Sequence, residues 1–274
     1  MLMVTIDLGR LQFQLKDDFD FSFIKAYGEP FKIYDDQDSG NLCFGVESAG
    51  KRLFLKLAGA PTTRGLVSGQ EAIERLMATI SVYDDLQHPL LTPVVETKTV
   101  PGGYLMVQDW FDGVCMGRQY GNQSRFLQLP IRDKLEIYAR VLEFHQHVHE
   151  KGYIAIDFYD GCVLYNFDTK QVMLCDVEFY QKKPVRNTMG RMWGSSRYMS
   201  PEEFTLGAVI DERSNVFCMG ALAFELMGGG AGYLPENWEA SQARYAVALK
   251  AVNPDRAERY SSVAALMEAW YRAE

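Results

Sequence analysis

The hydrophobic pattern of the chain changes near residue 112, and this change constrains the fold more than any other feature of the sequence. Before that point, short runs that alternate apolar and polar residues are separated by turn-forming residues, as in β-strands. In the run KRLFLKL, Leu53, Leu55 and Leu57 fall on one strand face, and Phe54 and Lys56 fall on the other. Beyond residue 112, apolar residues recur mainly at helical spacing. We therefore predict an α+β chain with a small β-rich lobe followed by a larger, mainly helical lobe.

The first lobe, residues 1–111, reads in order as strands, one helix and two further strands. The expected elements are a strand in LGRLQFQL, a strand–turn–strand unit with its turn at Asp35–Asn41, the strand KRLFLKL, a helix over EAIERLMATISVYDDL, and the strands LLTPVVETKTV and YLMVQDWF. Ser68 is placed to cap the helix. The apolar stripe predicted for this helix comprises Ile73, Leu76, Met77 and Ile80.

The second lobe, residues 112–274, begins with a long amphipathic helix. That helix, IRDKLEIYARVLEFHQHVHEKG, is expected to end at Gly152. The apolar runs CVLY and VMLC follow and predict a hairpin with its turn at residues 167–171. After a segment rich in glycine, serine and arginine, the rest of the chain is expected to be mainly helical.

Composition narrows the class of protein. Apolar residues make up 47% of the 274 residues and charged residues 23%, which suits a globular chain with a sizeable core. The 28 basic and 36 acidic residues give a net charge of -8, which disfavours a broad nucleic-acid-binding surface. The five scattered cysteines contain no C-x-x-C pair, and no apolar run approaches the ~20 residues that span a bilayer. We therefore predict a cytoplasmic protein without nucleic-acid or membrane partners; the oligomeric state stays open.

Lys56 is the first candidate for a functional residue. It lies in an apolar strand, where burial of an ammonium group is costly unless an anion meets it. A carboxylate of the following helix or a phosphate group would serve, and Glu74 is the first choice for the carboxylate, with Glu71 the second. The alternative is an edge-strand lysine that discourages aggregation.

Asp157 and Asp176 form the second candidate pair. Each ends a short apolar run, and the hairpin predicted between them would return Asp176 to the vicinity of Cys162 and Asp157. Two neighbouring carboxylates repel each other unless a cation or a proton lies between them. Glu178 would point to the same side as Asp176 if the strand continued, so these two residues are predicted ligands of Mg²⁺. The alternative is that these aspartates simply terminate strands.

These residues occur in an order that resembles eukaryotic-type serine/threonine protein kinases, of the divergent kind found in bacteria. The resemblance extends from about residue 21 to Trp270 and implies a two-lobed protein kinase-like fold with a hinge at about 108–112. It also implies an ion pair between Glu202 and Arg259. The matching segments are F-L-K at Lys56, LQHPLL, YLMVQDWFDG at the hinge, VHEKGYIAIDFYDGCVLYN at the catalytic loop, LCDVEFY at the magnesium-binding motif, RYMSPEEF at the end of the activation segment, and DERSNVFCMGALAFELM.

The resemblance implies a site for ATP and Mg²⁺. Lys56, held by Glu74, would contact the α- and β-phosphates, and Asp157 would orient the acceptor hydroxyl and take its proton. Asp176, with Glu178, would hold Mg²⁺. The other implied nucleotide contacts are Gly28 in YGEPFKIY, the counterpart of the glycine-rich loop, and the hinge residues Asp109, Trp110, Phe111 and Asp112, with Gln108 at the gatekeeper position.

The chain departs from the family pattern at several site positions. Gly28 is the one glycine in its loop, where the family carries several, which implies a looser phosphate cradle. Ile156 replaces the arginine that docks a phosphorylated activation segment, so we predict no activation of that type. Cys162 replaces an asparagine that holds a second metal, and a thiol is a poor ligand for Mg²⁺. The remaining departures are Tyr159 for a lysine, Val177 and Glu178 for Phe-Gly, and Asn215 for an aspartate.

The function that the resemblance implies is ATP-dependent phosphoryl transfer to serine and threonine hydroxyls of proteins. Two alternatives stay open. The Asp176-x-Glu178 pattern is similar to that of choline-kinase-like phosphotransferases, and the missing asparagine and glycines suit a pseudokinase that binds nucleotide or acts as a scaffold. The implied partner is a protein or peptide substrate, and a basic segment over residues 179–200 would favour an acidic one, unless that segment is simply a solvated loop. Its basic residues are Lys182, Lys183, Arg186, Arg191 and Arg197.

Overall fold

The computed structural model describes residues 3–273 and shows an α+β protein with a β-rich N-terminal region and a mainly helical C-terminal region. The chain divides into two compact units. The first contains the described residues up to Asp84 together with Thr92–Phe111, and the second contains Asp85–Leu91 and the described residues from Asp112 onward.

Strands dominate the first unit. An N-terminal hairpin precedes a five-stranded antiparallel sheet with the order β3-β4-β5-β7-β6. The hairpin strands are β1 (Val4–Leu8) and β2 (Leu11–Leu15), and the sheet strands are β3 (Glu29–Tyr34), β4 (Leu42–Ser48), β5 (Lys51–Ala58), β6 (Val94–Val100) and β7 (Gly103–Asp109). The predicted turn over residues 35–41 is confirmed. The strand predicted in LGRLQFQL is confirmed as β2, but it begins at Leu11, because Gly9, with φ of 71°, forms the turn that joins it to β1.

The core of the first unit joins the N-terminal hairpin to the sheet. Phe13 and Phe21 pack edge-to-face with ring centroids 5.5 Å apart, and both rings contact Phe44 of β4. Leu55 of β5 is fully buried in the same core. Because alternate side chains of a strand point to opposite faces, Lys56 lies on the other side of the sheet.

Helix α1 (Gly69–Asp85) begins where the sequence predicts. The Glu71 N–H donates to the Ser68 hydroxyl at 3.2 Å, so Ser68 caps the helix. The predicted apolar stripe is wrong in part, because Met77 is 52% exposed whereas Thr79 is buried. The Thr79 hydroxyl donates to the Arg75 carbonyl at 2.9 Å, and this bond lets a polar residue occupy the buried face. The residues that α1 buries are Ala72, Leu76, Thr79, Val82 and Tyr83.

Helices dominate the second unit. They are α2 (Gln123–Leu127), α3 (Ile131–Glu150), α4 (Glu212–Met227), α5 (Gln242–Ala251) and α6 (Val263–Arg272). Short antiparallel strands complete the unit: β8 (Val114–Cys115), β9 (Tyr153–Ile154), β10 (Val163–Tyr165), β11 (Val172–Leu174), β12 (Gln181–Lys182), β13 (Val185–Arg186) and β14 (Val209–Ile210). Gly152, with φ of 78°, follows α3, so the predicted end of that helix is confirmed.

Helix α4 is the centre of the second unit. It is buried continuously from Ser214 to Met227 and packs against α3, α5 and α6. Tyr138 of α3 and Trp270 of α6 are both fully buried, with ring centroids 4.6 Å apart. Within residues 3–273, none of the helices has both the length and the apolar character that a membrane crossing requires.

Candidate functional site

Asp157 and Asp176 both adopt a left-handed backbone conformation, with φ of 61° and 65°. Within the described residues, Ala49 and Lys170 are the other non-glycine residues with positive φ. Such conformations are uncommon for residues with a Cβ, although aspartate tolerates them better than most. They persist where the surrounding structure enforces them, and they concentrate at functional sites.

The hairpin of β10 and β11 brings these two aspartates to one region, as predicted. Val163 pairs with Leu174, and the ladder continues with a hydrogen bond of 3.1 Å from the Cys175 N–H to the Cys162 carbonyl. Burial raises the pKa of the Cys162 thiol well above its ordinary value, and the charges of Asp176 and Asp157 raise it further. Both carboxylates therefore lie close to the same buried thiol.

The predicted direction of Glu178 is not supported by the backbone. That prediction assumed that the strand continues past Asp176, whereas β11 ends at Leu174. The left-handed conformation of Asp176 and a turn closed by the Tyr180 N–H on the Val177 carbonyl, at 3.2 Å, then follow. Strand alternation therefore does not fix where Glu178 points, and its role as a metal ligand stays a prediction.

Two neutral side chains, those of Cys162 and Tyr159, lie near Asp157 and Asp176. Cys162 is fully buried, and its Sγ lies 3.7 Å from the Asp157 carbonyl oxygen. Burial also raises the pKa of Tyr159, and the nearby Cys162, Asp176 and Asp157 add to that rise. The Tyr159 ring lies over Gly161, where a Cβ would come within 2.3 Å of the ring. A protonated phenol thus occupies the position at which the family resemblance places a lysine.

Helix α4 fixes the backbone of the loop that carries Asp157. The Asn215 side chain donates to the Ala155 carbonyl at 2.6 Å and accepts from the Ala155 N–H at 3.1 Å. One turn later, the Cys218 thiol donates to the Phe158 carbonyl at 3.2 Å. Asn215 therefore braces this loop through two bonds, whereas an aspartate could only accept one.

A buried ion-pair network beyond Asp157 was not predicted from the sequence. Arg197 donates to both oxygens of Asp160, at 2.9 and 3.0 Å, and to Glu225 at 3.2 Å. Arg118 pairs with Glu225 at 2.7 Å. Asp160 is fully buried, so Arg197 attaches the segment before Tyr198 to the loop of Asp157. No local pattern indicates these contacts, because the paired residues are 28 to 107 positions apart in the chain.

The segment over residues 179–200 is not the open basic surface that the sequence suggests. Lys182 pairs with Asp85 at 2.7 Å, and Lys183 pairs with Glu212 at 2.6 Å. Arg197 is occupied by its acidic partners. The guanidinium groups of Arg186 and Arg191 donate to backbone carbonyls. Much of the positive charge is thus matched by acids of the same unit, which weakens the argument for an acidic substrate.

The predicted pair of Glu202 and Arg259 is confirmed. Two hydrogen bonds of 2.7 and 3.1 Å join their side chains, which are both buried. Ser214 also donates to Glu202 at 2.8 Å. The neighbouring Glu203 accepts from the Ser200 N–H and hydroxyl, at 2.6 and 2.7 Å, in a capping box. The motif RYMSPEEF is therefore held in place from both ends.

In the first unit, Lys56 lies in β5, paired with Cys43 of β4 and Met106 of β7. Its side chain is 9% exposed. Glu74 is exposed and accepts a hydrogen bond from Gln70 at 2.9 Å, while Glu71 is exposed and pairs with Arg75 at 2.5 Å. These contacts are along the surface of α1, so the pairing of Lys56 with either glutamate stays a prediction.

Gly28 does not lie in the connection between β3 and β4. It precedes β3 with φ of 129°, and a Cβ there would come within 2.3 Å of the Glu47 carbonyl oxygen. Along β4, Glu47 is four residues from Cys43, the partner of Lys56, a distance of about 13 Å. The conformation of Gly28 is therefore explained by its packing, and its position does not support the predicted phosphate-binding role.

The connection that does join β3 to β4 is acidic and anchored. It carries Asp35, Asp36 and Asp38, and the Leu66 N–H donates to the Asp38 carbonyl at 3.0 Å. Gly40 approaches Gly65 so closely that a Cβ on Gly65 would lie 2.8 Å from the Gly40 Cα. Three carboxylates disfavour phosphate groups over this loop.

The predicted hinge residues follow the end of β7. Asp109 is exposed and lies 3.9 Å from the ammonium group of Lys51. The Trp110 ring packs on Phe31, with centroids 4.9 Å apart, and on Phe54 at 6.4 Å. Gly45 allows this packing, since a Cβ there would lie 2.7 Å from both the Phe31 and the Trp110 rings. The result is a half-buried aromatic surface on the first unit.

The remaining predicted positions of this region are Phe111, Asp112 and the gatekeeper Gln108. Phe111 is half-buried at the end of the first unit. Asp112 begins the second unit, where its carbonyl accepts a hydrogen bond from the Asn166 side chain. The predicted gatekeeper Gln108 is buried and donates to the carbonyl and hydroxyl of Thr92 at 3.0 and 2.9 Å. Nucleotide contact by these residues stays a prediction.

Comparisons with known proteins add no family. No protein-family model matches the chain, and a search of curated proteins finds no significant similarity.

Proposed function

We propose that this chain is a divergent kinase with a two-lobed protein kinase-like fold and that it transfers a phosphoryl group from ATP to serine or threonine hydroxyls of proteins. The observation that carries the proposal is the left-handed conformation of Asp157 and Asp176, at loops that lie close to one buried thiol. Left-handed conformations are costly for residues with a Cβ and concentrate at functional sites, which suggests that a cationic or substrate group uses these two carboxylates.

The proposed roles follow from the chemistry of each side chain. Asp157 orients the acceptor hydroxyl and accepts its proton as the bond to phosphorus forms. Lys56 contacts the α- and β-phosphates. Asp176, with Glu178, would hold Mg²⁺, which neutralises charge on the phosphates. Carboxylate oxygens suit this ion, whereas the neutral Cys162 thiol does not. The nucleotide base would stack on the aromatic surface around Trp110.

A protein substrate is favoured over a small one by the motif that ends the activation segment. One buried ion pair, a hydrogen bond from Ser214 and a capping box hold Ser200, Glu202 and Glu203. Such a rigid segment suits the binding of an extended polypeptide. The Asp176-x-Glu178 pattern does not separate the two substrate classes, because the protein kinase proposal assigns the same pair of residues to Mg²⁺.

The second candidate function is a nucleotide-binding pseudokinase. Two observations favour it: the three aspartates in the β3–β4 connection and the buried thiol at the position of the metal-binding asparagine. In this case the aromatic surface would still bind the base, but the phosphates would be bound weakly and transfer would be absent.

Two measurements on the purified full chain separate these functions. Thermal unfolding is followed with ATP, with and without Mg²⁺, for the parent chain, Lys56→Met and Asp176→Asn, with exposed Lys98→Met as the matched control. A kinase requires a Mg²⁺-dependent stabilisation that both site variants lose. Transfer of radiolabelled γ-phosphate to generic proteins and to small alcohols then identifies the acceptor. Nucleotide binding without transfer supports the nucleotide-binding pseudokinase. The absence of any shift with ATP, with or without Mg²⁺, rules out both phosphotransferases and leaves a pseudokinase that acts as a scaffold.

A further inference from the structure

A groove of about 750 Å³ lies within the first unit. One wall is formed by residues Val4 to Gly9, which line it without a gap, and β2 contributes no lining residue. The facing wall is formed by Asp18–Ser22, by Ile24 and Lys25 of the 3-10 helix Ser22–Ala26, and by Gly28–Pro30. Gly28 therefore belongs to the surface of this groove.

The backbone edge of β1 faces the groove. A groove that covered one face of a strand would be lined by every second residue, because side chains alternate between faces. Six consecutive residues line this one, which is the arrangement expected for an edge. Within the described part of the chain, β1 pairs with β2 alone, so its other edge has no strand beside it.

The edges of the larger sheet carry more of the residues that discourage strand pairing than the edge of β1 does. Natural proteins discourage unwanted strand pairing by placing proline and charged residues, lysine above all, on edge strands. Edge strand β3 contains Pro30 and Lys32, and edge strand β6 exposes Glu96 and Lys98. The sequence of β1, VTIDL, contains neither proline nor lysine, and Asp7 is its one charged residue. This contrast suggests that the edge of β1 is available for pairing.

The side chains around the edge are apolar and acidic. Half-buried Phe19 packs on buried Phe21, with ring centroids 5.0 Å apart, and both line the groove. The charged lining residues are four carboxylates and one ammonium group: Asp7, Asp18, Asp20, Glu29 and Lys25. Their net charge, one positive against four negative, favours a cationic ligand.

Three of these carboxylates are held in position by the backbone. One oxygen each of Asp7, Asp18 and Asp20 accepts from the N–H of Gly9, Phe19 and Ser22, at 3.0, 2.9 and 2.8 Å. The bonds from Ser22 lower the pKa of Asp20, so its carboxylate stays ionised. Fixed charges reduce the entropy that a partner must overcome on binding.

We propose that this groove binds an extended segment of a partner protein, with alternating apolar and basic side chains, as an additional strand on β1. Main-chain hydrogen bonds to the free edge provide affinity, and alternate side chains contact the phenylalanines and the carboxylates. The surface lies wholly within the first unit, so it does not depend on the proposed phosphoryl transfer.

The test uses fluorescence anisotropy with the full chain and a fluorescein-labelled octapeptide of alternating valine and lysine. Saturable binding is expected, with affinity about fivefold lower for the double variant Asp18→Asn and Asp20→Asn. Asp84→Asn, which removes an exposed charge on α1, is the matched control and should leave the affinity unchanged. Hydrogen exchange of the Val4–Leu8 amides should slow when the peptide binds.

Backbone pairing is tested with two further peptides. They carry N-methyl groups on the odd or on the even amides, so one of them loses the hydrogen bonds to β1 and should bind much more weakly than the other. A peptide of alternating valine and glutamate should not bind. The proposal is overturned if no peptide binds saturably, if the glutamate peptide binds as well as the lysine peptide, if both methylated peptides bind equally, or if the double variant keeps full affinity.

Discussion

Asn215 and the backbone of Ala155 form two hydrogen bonds that require an amide side chain. The amide group donates to the carbonyl and accepts from the N–H, so both backbone polar groups of buried Ala155 are satisfied. The sequence identifies Asn215 as a departure from the kinase pattern. The structure indicates that this departure preserves support for the loop of Asp157.

We expect Asn215→Asp to lower the free energy of unfolding by about 2 kcal/mol, because a carboxylate would face the Ala155 carbonyl with no proton to donate. Urea unfolding at neutral pH measures this loss. The exposed Asn237→Asp is the matched control and should change stability by less than about 0.5 kcal/mol. Equal effects at the two positions would contradict the bracing role.

Gly161 and Tyr159 give a second prediction for single residues. Gly161→Ala should destabilise the loop, because its new Cβ would overlap the Tyr159 ring. If that overlap is the cause, combining it with Tyr159→Ala should remove most of the cost, and a double-mutant cycle of unfolding free energies should show coupling above about 0.5 kcal/mol. Additive losses would mean that Gly161 is required for another reason.

The loop of Asp157 and the segment before Pro201 behave as one structural element, because Arg197 joins them. Asp160 is fully buried, whereas the Arg197 side chain is 33% exposed. The pair is therefore partly screened by solvent, but a buried carboxylate without its partner still carries a desolvation cost. This network fixes the segment without a phosphate group, and the absence of phosphorylation-dependent activation stays a prediction.

Arg197→Met should lower the free energy of unfolding by about 2 kcal/mol and expose the segment over 190–200 to limited proteolysis. Arg186→Met is the control, since that guanidinium contacts a single carbonyl oxygen, of Gly207. The companion change Asp160→Asn should reduce the cost of Arg197→Met. An Arg197→Met variant as stable and as protease-resistant as the parent would contradict this role.

The buried carboxyl group of Glu203 should make the stability of this element depend on pH. Burial raises the pKa of its carboxyl group to about 7, although hydrogen bonds from Ser200 oppose the rise. The folded chain therefore holds this proton at pH values where the unfolded chain, with an ordinary pKa of 4.5, has lost it. The free energy of unfolding should fall by up to about 3 kcal/mol as pH rises from about 4.5 to about 7, and should level off above that range. The free energy of unfolding of Glu203→Gln, measured over the same pH range, should lack this pH-dependent fall. Parallel pH profiles for the variant and the parent would contradict the prediction.

The elements of this chain were predictable where the signal is local. The turn over 35–41, the cap at Ser68 and the hairpin of β10 and β11 all follow from neighbouring residues. The pairing of Glu202 with Arg259 could be predicted only from the family resemblance. The Arg197 network was not predictable, because its partners come from distant segments, and the buried position of Thr79 depends on one hydrogen bond that no hydrophobic pattern reveals.

At the scale of the whole molecule, the proposed function draws on separate contributions from the two units. The first supplies Lys56, an aromatic surface around Trp110 and a groove for an extended cationic segment. The second supplies two aspartates on loops that are fixed by helix α4 and by buried ion pairs. The proposed activity requires residues of both units to act on one nucleotide, and that requirement is its central claim.

The most direct measurement is single-turnover transfer of the γ-phosphate of ATP by the parent chain and Asp157→Asn, with nucleotide affinity measured on the same samples. Asp168→Asn is the matched control, because Asp168 is exposed in the turn between β10 and β11. The account predicts that Asp157→Asn loses transfer by at least about a hundredfold with little change in nucleotide affinity, while the control keeps both. Transfer by Asp157→Asn at the parent rate would contradict the assignment of Asp157 and the proposed chemistry with it.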